Sequence, residues 1–409
     1  GQYTTNATIN EGMGAAIALN TGVVPLGNME AVQFHPTALS PSGILVTEGC
    51  RGDGGFLLDK DGYRFMVDAE PEKQELASRD VVSRHMAQRM RDGYGVETKH
   101  GPHLWLDVRQ LGDRHLRTKL REVWEICRDF VGLDPAKELI PVRPTQHYSM
   151  GGVRVNAEGE AYNMAGLFAV GEASCWDMHG FNRLGGNSLA ETIVSGRLVG
   201  RRIAETIGEG GVDADTRHAN EALQKAEERA AELLARAGEG PGAYAVRDAM
   251  AEVMISKVGI FRKGDELEQA VTELGQLLDD CDRIVLRSKV PGMNPELSFA
   301  LRVKNMVRLA YITAKGALAR TESRGAHFRS DFPLRDDANG LNRTLARWPD
   351  SVDAPDISYE PVGELDVPPG HRGYGADERI EMEMTVEDYN RQVEDAQRAA
   401  GKLPTEGML

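Results

Sequence analysis

His179-Gly180-Phe181-Asn182-Arg183-Leu184-Gly185-Gly186-Asn187-Ser188-Leu189-Ala190-Glu191 is the stretch on which the reading of this chain turns. It is a polar, glycine-bearing loop that runs into a helix. Ser188 and Glu191 have the S-x-x-E spacing of a capping box, which predicts a helix N-terminus. Leu189, Ile193, Val194 and Leu198 then fall on one side of that helix. Just upstream, Gly166-Leu167-Phe168-Ala169-Val170-Gly171-Glu172 reads as a short buried strand ending in Gly-Glu. A buried strand, a loop carrying His and Arg, and a helix start with free N–H groups make a corner that receives an anion.

Further upstream the same pattern recurs, with polar groups at element ends flanked by Gly or Pro. Val32 and Phe34 alternate with polar residues, which predicts a strand stopped by Pro36, with His35 held extended before the proline. Residues 43–65 read as a β-hairpin region, with Thr47-Glu48-Gly49-Cys50-Arg51-Gly52 in a glycine-rich connection that puts Glu48 and Arg51 in one cleft. A helix is predicted at about 79–92, with Val82, Met86 and Met90 as its apolar stripe and Arg79 at its entrance. Leu104 to Asp107 is a strand candidate. Asp113 opens a helix with Leu116, Leu120, Val123, Cys127 and Phe130 on one face. Pro144 precludes a regular helix at 141–152, which places His147 and Tyr148 in a stiff extended segment before Gly151-Gly152.

Beyond about 208 the sequence turns helical. Leu267, Val271, Leu274 and Leu278 form one amphipathic face. Ala300, Val303, Val307, Ala310, Ala314 and Ala317 make a small-residue seam for close helix packing. Ser323 to Asp337, with Arg324, His327, Arg329 and Arg335, reads as a docking surface or a return loop. Tyr359 to Val362 reads as a strand and Thr385 to Ala400 as a polar helix.

The formal charge of −15 argues against nucleic-acid binding. It leaves room for an anionic substrate in a cleft lined by Arg and His. Cys50, Cys127, Cys175 and Cys281 lie far apart, so neither a disulfide framework nor a metal or iron–sulfur ligand set is expected. The informative polar set is His35, Thr47, Glu48, Arg51, Arg79, His147 and Arg183. Two imidazoles, a hydroxyl and an arginine could hold both ends of a dicarboxylate, with another arginine over its middle.

Taken in order, Gln33-Phe34-His35-Pro36-Thr37, Thr47-Glu48-Gly49-Cys50-Arg51-Gly52, Ser78-Arg79-Asp80, His147-Tyr148-Ser149-Met150-Gly151-Gly152, Gly171-Glu172 and His179 to Leu189 resemble the succinate dehydrogenase/fumarate reductase flavoprotein subunit. The resemblance implies hydride transfer at FAD N5 that interconverts succinate and fumarate. It implies that His35, Thr47, His147 and Arg183 hold the substrate carboxylates, that Arg79 exchanges the proton at the substrate carbon, and that Glu48 and Arg51 supply its proton path. Contacts to FAD would come from His147, Tyr148, Glu172 and the run Arg183, Leu184, Gly185, Gly186, Asn187, Ser188 and Leu189. An iron–sulfur subunit and a quinone-binding membrane anchor are the implied partners, with the chain peripheral to the inner membrane on its cytoplasmic face. L-aspartate oxidase shares the His-Pro-Thr and Arg-Asp motifs but departs at Thr47, Met150 and the loop after Arg183. A non-catalytic assembly fragment is the reading from a different class.

The expected fold is α/β plus α: a partial FAD-binding Rossmann-like domain, an inserted α+β capping domain and a C-terminal helical domain. The expected segments are 1–28 and 141–207 for the FAD domain, 29–140 for the capping domain, 208–348 for the helical domain and 349–409 as an extension. The G-x-G-x-x-G dinucleotide fingerprint does not occur in the 409 residues. The chain is therefore expected to be a fragment or processed product that does not hold FAD by itself.

Overall fold

The computed structural model describes residues 3–210, 216–349, 352–363 and 391, so the helix expected at 385–400 lies, but for Arg391, outside the described residues. The strands are β1 (Leu26–Gly27), β2 (Val32–Leu39), β3 (Phe56–Leu58), β4 (Leu104–Asp107), β5 (Ile140–Ser149), β6 (Gly152–Arg154), β7 (Ser174–Cys175), β8 (Asn342–Arg347) and β9 (Asp356–Pro361). The helices are α1 (Met13–Asn20), α2 (Gly49–Gly52), α3 (Met66–Ala69), α4 (Arg79–Arg89), α5 (Asp113–Thr118), α6 (Arg121–Val131), α7 (Asn187–Gly208), α8 (Thr216–Ala235), α9 (Ala243–Lys257), α10 (Gly264–Asp282), α11 (Pro295–Ala319) and α12 (Asp337–Gly340).

Two sheets organise these elements, in the orders β7-β6-β1-β8-β9 and β2-β5-β4-β3. The chain passes between them twice, from β1 to β2 and back from β5 to β6. The two crossings press together: a Cβ on Gly151 would collide with the Asn28 backbone, and one on Gly152 would lie 2.5 Å from Ala173 O. Both glycines are thus required by close backbone approach, as their spacing suggests. The second sheet packs on α4 through a core containing Leu39, Leu57, Val82, Met86, Leu104, Leu106 and Val142.

Several local expectations are corrected. β2 does not stop at Pro36 but continues to Leu39. Pro36 falls where the register shifts between His35 and Ala38, so the ladder needs no N–H from it. The polar members of its alternation, Gln33 and His35, are the buried ones. Residues 43–65 form no hairpin: β3 pairs with β4, and the glycine-rich loop winds into α2 as the Thr47 and Glu48 carbonyls accept the N–H groups of Cys50 and Arg51. The single helix expected from Asp113 is two, α5 and α6, broken at Leu120, and Phe130 is exposed. Gly166 to Val170 is not a buried strand. Phe168 makes one bridge, to Glu160, and the strand parallel to β6 comes later, at Ser174–Cys175.

The helical region packs α8 to α11 around Leu233, Val246, Met250, Leu267, Leu274, Val303 and Val307. The α11 seam is buried throughout, including Ala310, Ala314 and Ala317. Ser323 to Asp337 is a return loop in which Ser323, His327 and Arg329 are buried while Phe332 and Leu334 are exposed. It leads into β8 and β9, which rejoin the first sheet at β1, so the boundary expected at 348/349 falls between two paired strands. Beneath this junction lies an ion network. Arg320 Nε donates to Glu30 Oε1 at 2.9 Å and its Nη1 to Glu322 Oε1 at 2.9 Å, while the Thr344 hydroxyl donates to Glu30. Glu30 and Arg320 side chains are 1% and 2% exposed. Removing one partner strands the other charge away from water, which typically costs about 3–5 kcal/mol. Glu30→Ala is therefore expected to lower the urea unfolding free energy by that amount, and a loss below about 1 kcal/mol would refute the network's structural role.

Candidate active site

β2 and β5 bring two imidazoles together. Gln33 pairs with Tyr148 and His35 with Thr145, which sets the His35 and His147 rings 5.0 Å apart, edge to face. The Thr37 hydroxyl donates to Val46 O, and Val46 N–H donates to Thr37 O, so the segment carrying Thr47 and Glu48 is tied beside His35. α4 starts at Arg79, with Ser78 as its N-cap residue but no side-chain cap.

Arg79 donates from Nε and Nη2 to Glu48 Oε2, at 3.0 and 2.7 Å. Arg51 Nη2 lies 3.4 Å from Glu48 Oε1, so one carboxylate joins two guanidiniums. Arg51 is itself fully buried, and its Nη1 donates to the Glu75 carbonyl. Burial presses the Glu48 carboxyl upward, but the Arg79 hydrogen bonds and the Arg79, Arg51 and Arg183 charges overcome it and hold it below its ordinary value. Burial lowers Arg51, with Glu48 opposing.

Across the cleft, Arg183 Nη2 donates to His147 Nε2 at 2.8 Å and Nη1 to Leu184 O at 3.1 Å. Its guanidinium lies 4.4 Å over the Tyr148 ring. Its Nε is buried with no hydrogen-bond partner among the described residues. Burial, then the like charge of Arg79, lowers its pKa. Both imidazoles are held neutral. Burial, then the charges of Arg79, His147 and Arg51, puts His35 well below its ordinary value. Burial, then Arg183 and Arg79, brings His147 down to about 4. The Thr37 N–H donates to His35 Nδ1 at 3.2 Å, which leaves the proton of the neutral ring on Nε2.

Six of the seven residues singled out by sequence thus share one cluster. Thr47 is at its exposed edge, where its hydroxyl oxygen accepts the Gly49 N–H. Sequence reasoning missed Gln33, which is wholly buried. Its Oε1 accepts from Arg79 Nη1 at 3.2 Å, and its Nε2 donates to Asn182 Oδ1 and Arg183 O at 2.9 and 2.7 Å. The available signal was its alternation with His35 on one strand face. Thr5 was also missed; its Oγ1 lies 2.7 Å from His147 Nδ1.

The opening loop is corrected in one respect. Ser188 and Glu191 form no capping box. The N-cap is Gly186, at φ 82°, no side chain caps α7, and Ser188 is inside the helix. Glu191 points inward to accept from the Trp176 and His179 rings at 2.7 Å each and from the Tyr148 hydroxyl at 3.1 Å. Tyr148, 3% exposed, supports Arg183 and has almost no surface to offer a cofactor. Glu172 accepts the Ser149 N–H at 2.9 Å. Leu189, Ile193, Val194 and Leu198 are half or more exposed, and α7 buries Glu191, Ser195 and Val199 instead.

For a flavin, the exposed loop from Leu184 to Leu189 is the fitting part. It ends in an uncapped helix N-terminus, whose unpaired amides and positive dipole end suit an acceptor-rich ring. Gly185 packs so closely on the Glu48–Arg79 pair that an added Cβ would sit 2.9 Å from Glu48 Oε2 and 3.1 Å from Arg79 Nη2. Among the described residues no helix is long and apolar enough to cross a membrane, and no His, Cys, Asp and Glu cluster could hold a metal ion.

Comparison with known proteins shows the family. Residues 1–189 match the family model "FAD binding domain" and residues 247–374 match "Fumarate reductase flavoprotein C-term". The chain is 48% identical over 404 residues to a fumarate reductase flavoprotein subunit of Helicobacter pylori, covering 91% of the chain and 56% of that relative. It is 39% identical over 394 residues to the Escherichia coli subunit, covering 92% and 64%. The chain thus spans less than two thirds of these relatives. A solved quinol-fumarate reductase with menaquinol molecules superposes with a TM-score of 0.82 at 38% identity, over 90% of the chain and 65% of that protein. A Mycobacterium smegmatis Sdh1 complex gives 0.70 at 31%, over 90% and 60%. With two family models, relatives of this identity and matching folds, the chain belongs to the succinate dehydrogenase/fumarate reductase flavoprotein family, whose cofactor is FAD.

Proposed function

We propose that this chain forms the dicarboxylate site of a flavoprotein that interconverts succinate and fumarate. The observation that carries this reading is the charge balance of the cleft. Arg51, Arg79 and Arg183 converge there, and among the described residues Glu48 is the one carboxylate that forms an ion pair with any of them. Three positive charges against one negative leave an excess of two, which matches a dianion. His35, Thr47 and Arg183 take the two carboxylates, and His147 holds Arg183 in line. The Arg183 fork binds oxygen pairs, and neutral His35 donates from Nε2.

When bound, FAD supplies the two-electron chemistry, giving or taking a hydride at the substrate carbon. The chain's residues handle the proton. In the reductive direction Arg79 gives one N–H proton to the neighbouring substrate carbon, and Glu48 returns a proton to that nitrogen from Arg51 and solvent. An isolated guanidinium is a very poor acid and base. Arg79 can exchange a proton because Glu48, bonded to it directly, is placed to replace the one it gives. His35 and His147 stay neutral, so the first can donate to the dianion and the second can hold its arginine without either competing for the proton. Leu184 to Leu189 and Glu172 form the flavin-facing rim. An iron–sulfur subunit and a quinone-binding anchor complete the electron path, which puts the chain on the surface of the inner membrane, on its cytoplasmic face. The proposed segments are FAD-binding (1–28, 141–207), capping (29–140) and helical (from 208), and the boundary at 348/349 is given up because β8 and β9 pair across it.

Arg79→Lys in the assembled holoenzyme should lower fumarate turnover by about 100-fold or more while bound flavin stays near stoichiometric, since a lysine cannot keep both Glu48 bonds and still face substrate. Near-normal turnover in that variant would overturn the assignment of Arg79. A second outcome concerns acid stability. Below about pH 6.5 the unfolded chain takes up a proton on His147 that the folded chain refuses until about pH 4, so stability falls as pH falls through that window. The wild type is expected to lose about 2 kcal/mol from this ring, discounted for its partial exposure, and His147→Gln to show a flatter decline. Denaturation midpoints from pH 7 to 4.5 decide it; parallel slopes contradict the neutral ring.

A further inference from the structure

We propose that Thr5 is a positioning residue for the carboxylate clamp: its hydroxyl oxygen fixes the neutral Nδ1–H tautomer of His147, and that tautomer lets Nε2 aim Arg183. The inference rests on the proposed reading of the site and adds to it a residue and a mechanism of alignment.

The argument is one of donors and acceptors. A guanidinium only donates. Arg183 Nη2, 2.8 Å from His147 Nε2, therefore requires a lone pair on that nitrogen. The neutral ring must then carry its proton on Nδ1, and that N–H needs an acceptor. Thr5 Oγ1, at 2.7 Å, is the acceptor. The reverse polarity, with the threonine donating to Nδ1, would ask both ring nitrogens to accept, which a neutral imidazole cannot do. Which nitrogen of an imidazole holds the proton is set by the bond the other makes, so Thr5 and Arg183 specify the same tautomer from opposite ends.

Thr5 is held firmly enough for this task. Residues 3–6 run beside β5: Thr5 N–H donates to Gln146 O at 3.0 Å, Gln146 N–H to Tyr3 O at 3.2 Å, and the Asn6 side-chain amide to His147 O at 3.1 Å. The hydroxyl and the ring it serves thus share one backbone frame. Without the hydroxyl, Nδ1–H loses its partner and the proton is free to move to Nε2. Nε2–H would then face Arg183 Nη2–H, donor against donor, and the guanidinium would swing off its line. An ångström-scale misplacement of such a group is enough to cost one to two orders of magnitude in rate.

The test uses the flavin-loaded holoenzyme labelled with ¹⁵N-histidine, with His147→Gln to assign the ring signals. Wild type at pH 7 is expected to show a protonated Nδ1 and a bare Nε2. Thr5→Val, nearly the same shape without the oxygen, should shift His147 toward Nε2–H and raise KM for fumarate about tenfold with a smaller change in kcat. Thr5→Ser should restore both the tautomer and KM. An Nε2–H signal in the wild type, an unmoved tautomer in Thr5→Val, or a moved tautomer with unchanged KM each overturns the proposal. The wild-type spectrum decides the tautomer even if Thr5→Val does not fold. Should the tautomers behave as expected while the wild type neither binds nor turns over a dicarboxylate, the functional reading fails and the assignment of Thr5 to the His147 tautomer stands.

Discussion

The paired backbone crossing at Asn28 and Gly151 is the constraint from which the site follows. Both passages between the sheets occur there, and Gly151 is pressed against the Asn28 backbone. Asn28 takes φ 50°; its N–H donates to Thr344 O and its carbonyl accepts from Ala31. Ala31 O in turn accepts from Met150. Strands β2 and β5 leave this knot side by side, so Gln33 and His35 on one strand face Tyr148 and Thr145 on the other. The two imidazoles meet because two backbones were first forced together.

The same knot ties the site to the rest of the molecule. Tyr148, Met150, Ala31, Phe181 and Ala326 form a small core beneath it. The Phe181 carbonyl accepts from Ala326, and the Arg320 guanidinium lies 4.6 Å over the Phe181 ring. Arg320 is bonded in turn to Glu30, two residues before β2 begins. The return loop after α11 thus braces the loop that carries Arg183. Hydrophobic packing alone would let that loop slide, whereas a buried arginine with carboxylate and carbonyl partners fixes it in direction as well as depth.

How much of this could be read from sequence depends on the range of the interaction. Helix stripes such as Val82-Met86 and the Ala300-to-Ala317 seam were legible because their periodicity is local. Gly151 and Gly152 were legible as close approaches, although not what they approach. The motif residues were legible as a set. The polarity of β2 was not, since burying Gln33 in place of Val32 and Phe34 depends on bonding partners from segments 46 and 150 residues away. The apparent capping box failed for the same reason. Ser188 and Glu191 have the spacing, but Glu191 is drawn inward by two rings and a phenol from other elements. The hairpin expected at 43–65 failed because glycine-rich turns are compatible with several local paths, and the Arg51 contacts with Glu48 and Glu75 suit the helical one.

In the proposed mechanism Arg79 and Arg183 are one residue type given two jobs. Arg79 is bonded on three nitrogens to Glu48 and Gln33, a carboxylate and an amide oxygen. Its charge is answered within the protein, and its hydrogen bonds lead to a group that can itself carry a proton. Arg183 has no such answer among the described residues: its bonds go to a neutral imidazole and a carbonyl, and its Nε has none. Its charge is left to be met from outside. A proton relay needs the first arrangement and an anion clamp the second. Exchanging the environments would give a site that binds where it should react. Gln33 keeps the two apart yet in register, since it accepts from Arg79 and donates to the backbone of Arg183 with one side chain. That bridging requires an amide, which has both a donor and an acceptor; a carboxylate or an aliphatic group at this position would lose one of the two arginines.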